Sequence, residues 1–372
     1  MLFSLKQPTL NSALQHIAAS ISARPVIPIL AGVKVQADEQ EIILTACNST
    51  MTLQYRIPVD NDTVTVKKAG TAVISARYVT DIIRNLQEDV VTFEEIKDKR
   101  ICIRSGRAVY RLSTLDPDEF PVLDDIEIQR VIEIDNSSFR KMVRQVSFAA
   151  AASETRMILT GILFHSNGHI LRLAASDGIR FASHTLNLNL EMLPPVVVPA
   201  KNVHDFSKML SDFSGRTEIS MGDCFIRFTS DNFTMQSTLI QGIYPSIDKL
   251  IPNTFSGEIT LVTSELLNAI ERVTLLSGDA NLVGLRLSPA GAELFARSID
   301  IGDVIEALTV EEIISGTFTI SFNGKYMRDI IRAIDSKHVH LKFTGKDKPI
   351  VIQSADVKHA QYILTPIRTS NS

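Results

Sequence analysis

Three widely separated stretches of the chain place basic side chains at helical spacing, where they could bind phosphate groups. The stretches are SARYVTDIIRNL at 75–86, PAKNVHDFSKML at 199–210 and NGKYMRDIIRAI at 323–334. At about 100° per residue, one face of each is apolar. The opposite faces comprise nine positions, of which seven are Lys or Arg and none is acidic: Arg77, Thr80, Arg84, Lys201, His204, Lys208, Lys325, Arg328 and Arg332. Such faces neutralise phosphates without recognising bases.

A constant step along the chain relates the three stretches. Arg77, Lys201 and Lys325 are 124 residues apart, and three steps of 124 equal the full length of 372 residues. An aspartate follows each of them by four residues and can pair within its helix, which leaves each copy about one or two net positive charges. The sequence therefore consists of three repeats.

A second helical pattern precedes each basic stretch. Apolar residues at i, i+4 and i+7 occur in TLNSALQHIAASI, NSSFRKMVRQVSF and TSELLNAIERVTLL. Asn11, Asn136 and Thr263 stand near their starts, where capping residues are expected. Short alternating runs such as EIILTAC, RICIRSG, HILRLAAS and HVHLKFTG predict antiparallel strands. We predict an α+β fold of three repeated domains, each with two helices packed on antiparallel sheet, spanning 1–124, 125–252 and 253–372.

Composition favours a multidomain protein with segregated charge. The chain has 45% hydrophobic residues and a net charge of -4, so positive charge confined to one surface fits better than a general affinity for polyanions. No apolar run approaches the roughly 18 residues of a membrane span. MLFSLKQPTL also lacks the features of a signal peptide. We therefore expect a cytoplasmic protein with no membrane partner.

Motifs for catalysis and metal binding are not found in the sequence. It contains no GxxxxGK[ST] phosphate loop, no GxGxxG after a strand, no HExxH and no GxSxG. Cys47, Cys102 and Cys224 lack metal-ligand spacing, and we expect them to be buried small hydrophobic residues. No catalytic residue, metal ligand or cofactor is predicted. The first alternative function, an enzyme, is therefore disfavoured.

At the level of longer motifs, the sequence resembles the bacterial DNA polymerase III beta subunit family, the DNA sliding clamps. The motifs that carry the resemblance lie in order from residue 1 to about 368: RPVIPIL, RSGRAVYRLSTLDPDEFP, SETRMILTG, AASDGIRFA, QGIYPSIDKLIP and LTPIR. SETRMILTG and the ending after LTPIR are most similar to members from low-GC Gram-positive bacteria.

The resemblance implies a ring made by a head-to-tail homodimer, with helices on the inner wall and sheets outside. Such a ring encircles double-stranded DNA irrespective of sequence and acts as a processivity factor, without chemistry of its own. The implied partners are the replicative DNA polymerase, clamp loader subunits, repair polymerases and mismatch-repair proteins, all through short peptide motifs. An ATP-driven loader would open the ring, and the implied location is the cytoplasm, at the nucleoid.

For DNA, the resemblance adds loop and helix positions to the repeated basic faces. The loop positions are Arg24, Ser153, Met157 and Ile158, and some family members have tyrosines at the last two. The predicted DNA-binding residues are Arg24, Arg77, Arg84, Arg140, Lys141, Arg144, Lys201, Lys208, Lys325, Arg328 and Arg332.

The family also has a groove for partner peptides between its second and third domains. The matching positions are Leu159, Ser176, Gly178, Arg180, Phe181, Pro245, Lys249, Leu250, Leu364, Pro366, Ile367 and Arg368. An apolar pocket of this kind anchors Leu or Phe side chains while polar groups orient the peptide. Ile179 replaces a usual histidine of the family, Thr365 replaces a frequent apolar residue, and Thr369 to Ser372 extend past the usual end. These departures affect which partner peptide motifs the groove would prefer.

Two strand edges match the family's dimer interface. The predicted interface residues are Arg107, Tyr110, Leu112, Leu275, Leu276, Asp303 and Glu306. Apolar anchors flanked by opposite charges suit a reversible interface. The alternative within the same fold is a paralogous clamp-like scaffold that binds peptides but is loaded poorly on DNA, since the tyrosines at 157 and 158 are missing.

Overall fold

The computed structural model describes residues 1–21, 25, 27–121, 130–188, 192–210, 214–246, 252, 254–298, 300–314, 316–356 and 359–368. The chain divides into two compact units. Unit 1 comprises Met1–Phe139 and Asp205–Leu239, and unit 2 comprises Arg140–His204 and Ile240–Ser372. The predicted boundaries at 124 and 252 stay a prediction.

All six predicted helices form. They are α1 (Gln7–Ile17), α2 (Ala76–Asn85), α3 (Asn136–Val146), α4 (Ala200–Met209), α5 (Thr263–Thr274) and α6 (Gly324–Ala333). Their apolar spacing buries one face, as in α2, where Val79 and Ile83 are buried, and in α6, where Met327 and Ile331 are buried. In the described ranges, no helix is long and apolar enough to cross a membrane. Short 3-10 turns occupy Ala18–Ser20, Pro28–Ala31, Pro117–Glu119, Ser147–Ala149 and Glu154–Thr160.

Unit 1 contains one long antiparallel sheet. Its strands are β1 (Leu2–Lys6), β2 (Gly32–Ala37), β3 (Glu41–Cys47), β4 (Met51–Pro58), β5 (Val64–Lys68), β6 (Gly70–Ser75), β7 (Val90–Ile96), β8 (Arg100–Ser105), β9 (Ala108–Leu115), β10 (Arg130–Asp135), β15 (Arg216–Met221), β16 (Phe225–Ser230) and β17 (Phe233–Thr238). Their order is β10-β15-β16-β17-β4-β3-β2-β6-β9-β8-β7-β1-β5. Helix α1 contacts α2. The Phe206 ring stacks on Phe233 at 5.5 Å between centroids, and this packing fixes α4 on the sheet.

Unit 2 contains two antiparallel sheets. Its strands are β11 (Gly161–Asn167), β12 (Ile170–Ser176), β13 (Arg180–Asn187), β14 (Met192–Pro199), β18 (Gly257–Val262), β19 (Leu282–Ser288), β20 (Gly291–Ser298), β21 (Gly302–Leu308), β22 (Val310–Ile314), β23 (Phe318–Asn323), β24 (His338–Phe343), β25 (Ile350–Ser354) and β26 (Ala360–Leu364). The larger sheet runs β14-β11-β12-β13-β26-β25-β24-β18-β22, and the smaller runs β21-β20-β19-β23. Helices α5 and α6 contact each other, and α5 packs on β20 and β21.

The capping prediction was wrong at all three residues. Asn11 lies inside α1, whose start is set by Pro8 instead. The Asn136 side chain binds the Thr217 and Ser230 hydroxyls, and Asp135 accepts the Ser138 N–H at the start of α3. Among the described residues, no side chain caps α5. At the start of α6, the Tyr326 N–H donates to Asn323 Oδ1 at 3.1 Å.

The cysteine prediction holds for two of the three residues. Cys47 and Cys102 are buried in strands, whereas Cys224 is exposed. Cys224 lies in the turn between β15 and β16, where no sheet face can cover it.

Candidate nucleic-acid and peptide interfaces

The first turn of each repeated helix carries an exposed cation. Arg77, Lys201 and Lys325 are the second residues of α2, α4 and α6, and none of these first turns contains an acidic residue. Within the described part of the chain, none of the three forms an ion pair. A cation near a helix N-terminus opposes the helix dipole, so these positions cost stability unless an anion binds. The neighbouring backbone N–H groups favour a phosphate there.

Cations in the last turns have different surroundings. Arg84 pairs with Asp81 at 2.6 Å, as predicted for pairing within the helix, and Arg332 pairs with Glu271 of α5 at 2.5 Å. Lys208 is exposed in the last turn of α4. In the middle of α6, Arg328 is half-buried and lies 3.6 Å from Asp329. The last turns therefore contribute less unbalanced positive charge than the first turns.

The cations predicted on α3 are partly neutralised. Lys141 lies 3.0 Å and Arg144 3.7 Å from the Asp335 carboxylate, just beyond the end of α6. The hydrogen bond from Lys141 holds the pKa of Asp335 below its usual range. Arg140 is exposed and has no ion pair in the described ranges.

Among the predicted loop positions, Arg24 lies outside the described residues. Of the other loop positions, Ser153 and Met157 are exposed.

Apolar side chains of unit 2 form what we call the groove cluster: Leu163, Ala174, Phe181, Val197 and Ile363, with Ile158, Ile240 and Tyr244 packed against it. Strand pairing of Phe181 with Ile363 places these two on the same face. Burial raises the pKa of the Tyr244 hydroxyl. A cavity of about 280 Å³ opens beside the cluster, lined by Leu163, His165, Arg172, Pro195, Val197 and the 242–246 segment. Its size suits one or two anchoring side chains.

Two of the predicted groove residues are buried: Leu364 is 0% exposed and Leu159 is 3% exposed. Ile363, the neighbour of Leu364 in β26, belongs to the groove cluster, and side chains alternate between the faces of a strand. Ile158, one of the loop positions considered for DNA, packs against the same cluster. Pro245 is exposed at its rim, and Lys249 and Leu250 lie outside the described residues.

Arg180 connects the turn before β13 with helix α6. Its Nη1 donates to Asp329 at 2.8 Å and its Nε donates to Asp177 at 3.1 Å, and the side chain is only 11% exposed. The guanidinium also lies over the rings of Tyr326, at 4.4 Å, and Phe148, at 5.3 Å. Tyr326, Phe148 and Asp329 were missed as groove-supporting residues.

Backbone hydrogen bonds hold the C-terminal tail beside this turn. The Thr365 N–H donates to the Ile179 carbonyl at 2.9 Å, and the Ile367 N–H donates to the Ser321 carbonyl of β23 at 2.7 Å. The turn itself requires Gly178, whose φ is +90°. Ser176, half-buried, accepts the Gly178 N–H and donates to the Arg180 carbonyl. Pro366 is half-buried, and Ile367 and Arg368 are exposed.

Each unit has a strand edge that exposes apolar side chains. In unit 1, β9 pairs with β8 along its length but with β6 only at Thr114 and Leu115. Tyr110 and Arg107 are exposed on or beside this edge, and Leu112 is half-buried. In unit 2, β21 is the outer strand of the smaller sheet, and Ile305 is 61% exposed.

The end of α5 lies in the same unit as β21. Leu275 is 77% exposed, and Leu276 is half-buried. Asp303 is exposed, and Glu306 accepts two hydrogen bonds from Arg272. The exposed apolar residues at the end of α5 and the carboxylates of β21 give unit 2 an apolar surface with carboxylates at its margin. Within the described residues, no three His, Cys, Asp or Glu side chains converge as metal ligands.

The chain repeats a pair of helices packed on antiparallel sheet, and the second helix of each pair has a basic first turn. This architecture is the DNA clamp fold. Three family models match: the DNA polymerase III beta subunit N-terminal domain at residues 1–124, its central domain at 133–246 and its C-terminal domain at 248–368. The chain belongs to the DNA polymerase III beta subunit family.

Relatives resemble the chain over almost its full length. It is 32% identical to the Beta sliding clamp of Bacillus subtilis (strain 168), covering 99% of this chain and 100% of the relative. It is 31% identical to the Beta sliding clamp of Staphylococcus aureus (strain N315), with the same coverage. The crystal structure of the DNA polymerase sliding clamp from Bacillus subtilis superposes with a TM-score of 0.95, at 32% identity and 99% coverage of both chains. The beta subunit from DNA polymerase of Streptococcus pyogenes also gives 0.95, at 26% identity, covering 99% of this chain and 100% of that one.

Proposed function

We propose that this chain is a DNA sliding clamp: a ring-shaped homodimer that encircles double-stranded DNA and tethers a replicative DNA polymerase as a processivity factor. The observation that carries the proposal is the exposed first-turn cation of each repeated helix, at Arg77, Lys201 and Lys325, with no carboxylate partner in the described residues. Since these cations meet only phosphates, binding is independent of sequence and weakens steeply with salt. We expect Arg140, Arg328 and Arg24 to add further phosphate contacts.

Closure of a head-to-tail ring requires two edges of the chain that are complementary to each other. The β9 edge of one chain, with Tyr110 and Leu112, would meet the β21 edge of a second chain and the exposed Leu275. Both edges expose apolar side chains and unpaired backbone, which favours strand addition between chains. Replacing Leu275 with Asp is expected to give monomers at micromolar concentration in light scattering, because a carboxylate would be stranded among apolar groups.

The groove cluster and the adjoining tail support binding of short partner peptides. A Leu or Phe side chain would enter the cavity beside Phe181, Ile363 and Tyr244, while Ser176 and Arg368 orient the peptide backbone. Partners of this kind are the replicative polymerase, clamp loader subunits, repair polymerases and mismatch-repair proteins. The role involves no chemistry by the chain itself, so an ATP-driven loader opens the ring. The site of action is the nucleoid in the cytoplasm.

The test is retention on circular DNA. The chain, a clamp loader and ATP are incubated with primed circular DNA, and the product is separated by gel filtration before and after the circle is cut. A sliding clamp stays with the circle and leaves the linear DNA. If the chain binds partner peptides yet never stays on the circle, it acts as the peptide-binding scaffold that is poorly loaded, and the clamp proposal fails.

A further inference from the structure

A second hollow, distinct from the groove cluster, lies on the outer face of the smaller sheet of unit 2. Its volume is about 600 Å³, and it is lined by residues of β19, β20, β23 and the 346 turn. Strand alternation explains which side chains reach it: Val283, Leu285 and Leu287 are buried in the core, whereas the intervening residues face outward. We call this feature the outer hollow.

Gly284 shapes the floor of the outer hollow. A Cβ at this position would lie 2.2 Å from Cζ of Phe295, so the tip of the ring occupies the space that a side chain would fill. Phe295 and Phe318 form the apolar part of the lining, and Thr317, Thr319 and Ser321 supply polar groups at one side. A ligand in this hollow therefore meets an aromatic floor with hydroxyl groups beside it.

Three basic side chains line the outer hollow: Arg286, Arg297 and Lys346, all of them exposed. Glu293 pairs with Arg286, whose guanidinium lies 5.2 Å from the centroid of the Phe295 ring. Asp303 faces Arg297 across the β20–β21 pairing. Arg297 has no ion pair within the described ranges. Two carboxylates, Glu293 and Asp303, thus lie at the edges of a lining that contains three cations.

The outer hollow adjoins the C-terminal tail. Ser321 lines the hollow, and its carbonyl accepts the Ile367 N–H at 2.7 Å. A peptide seated along this tail can therefore continue directly across β23 into the hollow. The two carboxylates at the margin and the limited length of the hollow disfavour a nucleic-acid backbone, which needs an extended row of cations.

We propose that the outer hollow binds an acidic segment next to the anchor residues of a partner peptide. The inference rests on the peptide groove of the proposed function and deepens it. Carboxylates of the segment pair with Arg297 and Lys346, and an apolar side chain between them packs on Phe295. Because these ion pairs are exposed, they contribute selectivity among partners more than affinity.

The experiment compares labelled peptides by fluorescence anisotropy with the full-length chain. One peptide contains only Gln, Leu and Phe anchor residues; others add four alternating Asp and Glu residues before or after the anchor, or four Ser residues as the neutral match. One acidic extension should bind about three- to tenfold more tightly than its Ser counterpart at low salt, the gain expected from two or three exposed ion pairs. The gain should disappear at about 1 M salt, where the Debye length is about 3 Å.

Paired substitution identifies the site. Arg297→Gln with Lys346→Gln should remove most of the gain and leave the affinity for the anchor peptide unchanged. Lys67→Gln with Lys68→Gln, which removes two exposed cations in unit 1, is the charge-matched control and should keep the gain. Melting temperatures of the variants check that the fold is intact.

Each other outcome overturns a defined claim. If the anchor peptide binds but neither acidic extension improves its affinity, or the gain survives the double substitution, the outer hollow is not an acidic-segment site and the groove stands. If the anchor peptide itself does not bind, the groove and this inference both fail. If an eight-nucleotide single strand displaces the acidic extension while the anchor stays bound, the hollow is a nucleic-acid site.

Discussion

Helices α2 and α6 have nearly the same sequence but different surroundings. ARYVTDIIRN and GKYMRDIIRA share the tyrosine, the aspartate and the paired isoleucines. In α2, Tyr78 is 58% exposed and Asp81 pairs with Arg84 of the same helix. In α6, Tyr326 lies under the Arg180 guanidinium and Asp329 pairs with that same Arg180.

The difference shows how one repeated element acquires a second role. On the exposed face of α2, Asp81 pairs within the helix, so a change there should affect that face alone. Helix α6 presents the same basic first turn and also holds the turn at 176–180, beside which the C-terminal tail binds. Substitutions at matching positions should therefore affect peptide binding in α6 and leave it unchanged in α2.

Removal of the tail tests the α6 side most strongly. Truncation after Leu364 deletes the two backbone hydrogen bonds to Ile179 and Ser321 and the exposed Ile367. Peptide binding should be abolished, whereas α2 should keep its protection from hydrogen exchange. Calorimetry with the anchor peptide measures the first effect. Unchanged peptide affinity after the truncation would mean that the groove has been misplaced.

Acid should destabilise the surroundings of α6 and spare those of α2. A carbonyl in the last turn of each helix accepts a glutamine amide: Gln7 donates to Ile83 at 2.6 Å and Gln145 donates to Ala333 at 3.1 Å. Only Gln145 also binds a buried histidine, with His184 Nδ1 2.6 Å from its Oε1. Burial, with smaller contributions from His359 and Lys141, lowers the pKa of His184 to about 4.

The sign follows from proton binding. The unfolded chain, with a histidine pKa near its ordinary 6.5, binds more protons than the folded chain between pH 6.5 and 4. Stability from His184 is present above about pH 6.5 and is lost as pH falls towards 4, by on the order of 2 to 3 kcal/mol. Hydrogen exchange of α6 against α2 measures this loss, and His184→Gln should flatten it. An identical pH slope in that variant would refute the assignment.

Matched substitutions of the two aspartates should differ in size. Asp329→Asn removes one of two carboxylates from a nearly buried guanidinium and should cost about 1 to 2 kcal/mol, with weaker peptide binding. Asp81→Asn removes an exposed pair and should cost no more than about 0.5 kcal/mol, with peptide binding unchanged. Thermal melts and calorimetry supply both numbers. Equal costs would show that the Arg180 contact does not distinguish the helices.

First-turn cations should behave alike in both helices. Arg77→Gln and Lys325→Gln should each weaken duplex binding at low salt and lower the salt slope by roughly 0.9 for each phosphate that is no longer neutralised. Stability should stay the same or rise by about 0.3 to 1 kcal/mol, because each cation opposes its helix dipole. Anisotropy with two unrelated duplexes measures the binding. A strong preference for one duplex would contradict contact with phosphates alone.

Periodicity in the sequence was sufficient to predict the helices and many strands. Apolar spacing in NGKYMRDIIRAI determines α6, and alternation in HILRLAAS determines β12, because both patterns depend only on local geometry. The repeats predicted three domains of two helices on antiparallel sheet, and the clamp fold was implied by the resemblance of the ordered motifs to a known family. The exposure of Arg77, Lys201 and Lys325 was also predictable, since the opposite helix face is apolar.

Contacts between distant segments could not be predicted in the same way. Arg180 and Asp329 are 149 residues apart, and no spacing rule connects a turn residue to a helix that far along the chain. The sequence also did not indicate that Ile363, next to the predicted Leu364 in β26, belongs to the groove cluster, because neighbouring residues of a strand lie on opposite faces. The roles assigned to the groove, interface and DNA-facing residues stay predictions until the experiments above are done.

The exposed Cys224 is a site for selective covalent labelling of this chain. Thiolates rather than thiols react with maleimides, and burial raises the pKa of Cys47 to about 11, while Cys102 is buried as well. At neutral pH a fluorophore should therefore attach at Cys224 alone, with no engineered cysteine and no serine replacements. Each subunit would then carry one dye at a known turn between β15 and β16, so the number of subunits on a single DNA molecule can be counted from photobleaching steps.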